Sequence, residues 1–67
     1  MAVAEIIDER RGEDDPRRSI ATFENVPDVW TVRDVATRFG VGDHLAIRVT
    51  RAYPHGGDQV SYRHPQL

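Results

Sequence analysis

Between Thr31 and Gly40 the sequence TVRDVATRFG carries both its start and its stop. Thr31 is a good N-cap, and Asp34 stands three residues later, where the acid of a capping box reaches back. Asp34 also lies near the positive end of the helix dipole. Val32, Val35, Ala36 and Phe39 recur at the i, i+3, i+4, i+7 spacing of one helical face. Gly40 follows, where a left-handed residue ends a helix. The pattern predicts a helix over 32–39 and a sharp change of direction after it.

What comes after that turn decides the fold. In residues 44–53, HLAIRVTRAY, Leu45, Val49 and Ala52 make a helical stripe, whereas Leu45, Ile47 and Val49 make one face of a strand. Propensity is divided: Ala46, Arg48, Arg51 and Ala52 favour helix, while Ile47, Val49, Thr50 and Tyr53 favour strand. Asp43 is placed to cap a helix if one begins there. PHGGD at 54–58 is a tight loop. The following QVSYR alternates, with Val60 and Tyr62 on one face and Gln59, Ser61 and Arg63 on the other, and Pro65 closes the strand.

The N-terminal part is acidic. Residues 1–27 hold seven acids against four arginines, and residues 28–67 hold four acids against five arginines. The overall charge of -2 therefore combines an acidic front with a mildly basic remainder. The segment Asp8 to Arg18, DERRGEDDPRR, has no apolar face to bury and reads as a mobile linker. VAEII before it is either a helical turn or a strand. SIATFENV after it carries Ile20, Phe23 and Val26 as an apolar patch, and NVPDV is turn chemistry around Pro27 and Asp28.

Several functional classes fit poorly. A 67-residue chain buries little core and has few residues left to wall a catalytic pocket, so an enzyme is not expected. Ser19 and Ser61 lack a glycine elbow, and the glycines match no phosphate-binding spacing. There is no cysteine, and His44, His55 and His64 are spaced unlike metal ligands, so neither a metal nor any other cofactor is expected. No apolar run approaches a membrane span and no signal peptide is recognisable, which points to a cytoplasmic protein. All nine basic residues are arginine. This is mainly a mark of G+C-rich coding, though guanidinium also suits phosphate and base recognition.

TVRDVATRFGV fits the first helix and turn of a helix-turn-helix, with Ala36 at the close helix crossing, Gly40 in the turn and Val41 between the helices. Trp30 with TVRDVA, FGV at 39–41, Arg48 and Arg51, HGGD at 55–58 and VSYRHPQL at 60–67 together resemble the small winged helix-turn-helix of the MerR superfamily, especially the phage excisionases. The resemblance implies an α+β fold, mainly α, with a short β-hairpin wing, occupying 20–67 behind a flexible arm at 1–19. It implies sequence-specific binding of double-stranded DNA in recombination or transcription. His44 and Arg48 would enter the major groove from a helix at 43–52, and Arg51 and Arg33 would hold phosphates. Gln59, Ser61 and Arg63 on the wing would reach the backbone or minor groove. Partners would be neighbouring copies on the DNA or a recombinase or other regulatory protein.

Two alternatives follow if 44–53 is a strand. A helix followed by a hairpin is similar to the C-terminal part of the dimeric swapped-hairpin AbrB-like regulators and antitoxins, with arginines on loops. The same hairpin also fits a small SH3-like or OB-like β-rich adaptor or inhibitor that binds a protein. An acidic total charge suits the latter, because affinity for nucleic acid comes largely from neutralising phosphates.

Overall fold

The computed structural model describes residues 1–66 and consists of four strands and one helix: β1 (Ala2–Ile7), β2 (Ser19–Val26), α1 (Val32–Phe39), β3 (Ala46–Ala52) and β4 (Asp58–Arg63). All pairings are antiparallel, and the sheet order is β2-β1-β3-β4. The helix packs on one face, over β3 and β4. This corrects the expected winged helix-turn-helix: the protein is mostly β, and residues 46–52, placed in a recognition helix, are a strand.

The N-terminus explains why strand wins. AVAEII is no arm but a central strand, so the division at residue 19 does not hold. A central strand has hydrogen-bonding groups along both edges, and a buried backbone group left unpaired is costly. β2 satisfies one edge and β3 the other, with Ala2 opposite Arg51 and Ile7 opposite Ala46 in an unbroken register. As a strand, 46–52 also buries both Ile47 and Val49, which a helix centred on Leu45 and Val49 would not. The non-local partner decided what propensity left open.

Ala2, Ala4 and Ile6 of β1 share the core with Val26, Val35, Ile47 and Val49, and Phe23, Trp30, Val32, Ala36, Val41 and Leu45 pack around it. Among the described residues Ile47, Val35 and Val49 are the largest completely buried side chains, each contributing about 1.5–3 kcal/mol. The rings of Phe23 and Phe39 stack at 4.1 Å, and Trp30 tilts against Phe39 at 5.8 Å. Arg38 lies 4.7 Å over the Trp30 ring. These contacts tie the end of the helix to β2.

The helix begins and ends as its sequence indicates. Asp34 N–H donates to Thr31 Oγ1 at 3.2 Å, and Thr31 N–H donates to Asp34 Oδ2 at 2.9 Å. Gly40 is left-handed, with φ 64°, and Val41 N–H donates to the Ala36 carbonyl. The Thr31 backbone hydrogen bond holds the Asp34 carboxyl below its ordinary 3.8. That contribution is present above the ordinary value and is lost as pH falls through the lowered one. Thr31→Ala removes the cap and is expected to cost about 1 kcal/mol, lowering the thermal midpoint by roughly 4–8 °C, whereas Thr31→Ser keeps it.

The turn after α1 differs from expectation. Asp43 does not cap a helix. Leu45 N–H donates to the Gly42 carbonyl in a tight turn, and Gln66 N–H reaches back to the Asp43 carbonyl at 2.7 Å. The expected wing loop does join two strands, through Gly56 and Gly57 at φ 101° and 74°, but they are β3 and β4 of the main sheet. Leu67, the last residue of the resemblance, lies outside the described residues.

Candidate interaction surface

One face of the sheet carries the helix and the other does not. Strand alternation puts Ile47, Val49 and Arg51 of β3, with Gln59, Ser61 and Arg63 of β4, on the helix side. Val3 and Glu5, Arg48 and Thr50, and Asp58, Val60 and Tyr62 lie on the other side. Val3, Val60 and Tyr62 are 39%, 55% and 37% exposed, a high apolar content for a solvent face.

The seven residues expected to touch DNA scatter across this architecture. Arg51 is buried: its Nε donates to the Asp28 carbonyl at 2.8 Å, Nη2 to the Trp30 carbonyl, and Nη1 to Ser61 Oγ at 3.2 Å. It fastens the β2–α1 connection to the sheet. Arg63 donates to the carbonyls of Gly42 and Leu45 at 2.9 and 2.8 Å and braces the turn before β3. Arg48 pairs with Glu5 on the open face. Gln59 accepts from the Tyr53 hydroxyl at 2.7 Å. His44 is exposed in the turn, its ring folded against Gly42 so closely that a Cβ there would lie 2.7 Å from it. Arg33 is exposed on the helix and has no ion pair among the described residues. The structure brings Arg51 and Ser61 together, but as a structural clamp. The recognition row of His44 and Arg48 does not exist, because they occupy a turn and a strand.

The segment from Asp8 to Arg18, expected as a linker, forms a built loop beside the open face. Asp8 is buried and accepts from Arg10 N–H and its guanidinium, and Asp15 does the same for Arg17. These side-chain hydrogen bonds, from Arg10 and Arg17 first, hold both carboxyls below 3.8. Their stabilising contribution is therefore lost as pH falls below the ordinary carboxylate range. Arg18 donates to the Arg11 carbonyl at 2.7 Å. The Asp-x-Arg spacing at 8–10 and at 15–17 was the sequence signal for this local pairing. The loop also reaches β4, where the Tyr62 hydroxyl donates to Glu9. Burial, then this bond, raises the Tyr62 phenol above its ordinary 10.0.

An open groove of about 370 Å³ runs between loop and sheet, lined by Glu5, Glu13, Asp15, Arg18, Arg48 and Tyr62 among others. Within it Glu5 and Arg48 pair with each other, Asp15 pairs with Arg11 and Arg17, and Arg18 donates to the Arg11 carbonyl. Among the described residues no group of three or more His, Asp or Glu side chains is placed to hold a metal ion. No helix among them is long and apolar enough to cross a membrane.

The sheet has two edges of different character. β2 is irregular, with register shifts at both ends of its pairing and Asn25 at φ 62°. Such bulges twist an edge away from further pairing. β4 pairs with β3 over six residues without a shift and contains neither proline nor lysine. Its outer edge is a regular row of backbone donors and acceptors flanked by exposed Val60 and Tyr62. No family model matches the chain, and no curated protein or solved structure does either.

Proposed function

We propose that this chain is a small protein-binding module that takes an extended polypeptide segment along the free edge of β4, with side chains settling on the open face beside Val60 and Tyr62. The observation that carries this is the contrast between the two edges: β2 is bulged, whereas β4 is regular, exposed and free of proline and bulges, its two charged residues, Asp58 and Arg63, standing at its ends. Added-strand recognition draws affinity from main-chain hydrogen bonds and specificity from alternate side chains. The arginines are mostly engaged within the molecule, and the charge of -2 gives little attraction for phosphate.

The test is selection of random peptides displayed against the immobilised full chain. Enriched peptides are expected to alternate apolar residues, and Val60→Lys, which places a guarding charge on the edge, is expected to lose them. No enrichment, or equal capture by Val60→Lys, contradicts the proposal.

A second reading keeps DNA. The order of helix, turn and hairpin, with 46–52 as a strand, is the arrangement that makes the C-terminal half similar to AbrB-like regulators. It requires binding to duplex DNA that weakens steeply with salt. A titration showing no binding at low salt removes it.

A further inference from the structure

We propose that the segment taken by β4 is β4 of a second copy of this chain, paired antiparallel across a two-fold axis with Ser61 opposite Ser61 of the other copy. This rests on the edge-binding reading above and names its occupant. An axis perpendicular to the sheet makes an isologous contact and leaves both helices on one side of a continuous sheet. Residues directly opposite one another then share a face, which restricts the register to steps of two and makes the choices few.

The side chains distinguish these choices. Asp58, Val60 and Tyr62 lie on the open face, and His64 joins them there, its ring packed edge-on against Tyr62 at 4.9 Å. Centring the pair on Ser61 sets Val60 against Tyr62 of the second copy and Asp58 against its His64, each contact occurring twice. An apolar pair and an acid facing an imidazole N–H are both favourable cross-strand neighbours. On the helix face the same register sets Gln59 opposite Arg63. Centring on Val60 instead puts Asp58 against Tyr62, and centring on Tyr62 puts Val60 against His64. Both lose the charge match. All four open-face residues are exposed, Tyr62 less so than Val60, because the 8–18 loop touches its hydroxyl through Glu9. A domain with so small a core, its largest fully buried side chains among the described residues being Ile47, Val35 and Val49, also gains from burying further apolar surface.

Sedimentation equilibrium of the full chain over a range of concentrations tests this. A monomer–dimer equilibrium is expected. Asp58→Arg and His64→Asp should each weaken it about tenfold, since each change acts twice across the axis. The double variant, which exchanges the charges, should recover association toward that of the parent. Val60→Lys should weaken association while its circular dichroism stays that of the folded protein. A single species of monomer mass at every concentration overturns the proposal, as does a double variant no better than the single ones. A chain that stays monomeric yet selects strand-forming peptides overturns the self-pairing alone. One that does neither overturns the edge-binding reading as well.

Discussion

Arg51→Ala is expected to destabilise the protein by about 3 kcal/mol, because it leaves the carbonyls of Asp28 and Trp30 and the hydroxyl of Ser61 without their donor. A chain of this size has roughly 3–10 kcal/mol of stability in all, so the variant should be partly unfolded near physiological temperature. Arg51 as a residue is 9% exposed, and its guanidinium spans three acceptors, two on the β2–α1 connection and one on β4, which an ammonium cannot match. Arg51→Lys should therefore recover only part of the loss. Arg48 provides the contrast. Its pair with Glu5 lies on the solvent face, so Arg48→Ala should cost less than about 1 kcal/mol. Urea denaturation of the three variants checks the order. Equal, small effects at positions 48 and 51 would mean that Arg51 is not the clamp described.

Ile47→Ala is expected to cost about 2–5 kcal/mol, the range for emptying a fully buried branched aliphatic site. The side chain is completely enclosed and faces Ile6 across β1, in the narrow core beneath Val35. This substitution also separates the two conformations that residues 44–53 allow on paper. In a helix packed through Leu45 and Val49, Ile47 sits off the apolar stripe, and its truncation would change stability by no more than about 0.5 kcal/mol. Thermal unfolding of Ile47→Ala should show a large fall in midpoint or no cooperative transition at all.

The parts of this fold that are local were legible in the sequence. Thr31, Asp34 and Gly40 specify the helix from its own residues, and the alternation of Val60 and Tyr62 against Gln59, Ser61 and Arg63 is that of β4, but the second set, expected to reach outward, faces the helix side. The part that failed depends on a partner far away in the chain. HLAIRVTRAY has no decisive preference of its own, and it becomes a strand because AVAEII, some forty residues earlier, presents an edge that must be paired. Two of its core-facing positions, Ala2 and Ala4, carry little hydrophobic signal, yet both are completely buried.

The surroundings of the arginines were hidden for a related physical reason. Composition showed that they were numerous, and it could not show which of them meet backbone carbonyls. Arg51 and Arg63 point to the helix side of the sheet and are consumed in fastening loops. The charged segment 8–18 misled in the opposite direction. It buries almost no apolar surface, yet its Asp-x-Arg pairs order it locally against β4 through Glu9 and Tyr62. The candidate surface itself was only half visible: that Val60 and Tyr62 share one face of β4 could be read, but that this face is the open one, and that β4 is an edge, follows from the strand order.

Amide hydrogen exchange along Gln59–Arg63, followed in dilute and in concentrated solution, addresses the use of that edge most directly. A free edge strand protects every second N–H, those facing β3, and leaves the others open to water. If β4 pairs with β4 of a second copy, the alternation seen on dilution should give way to slow exchange at every amide as concentration rises. An alternating pattern that is the same at all concentrations would contradict it.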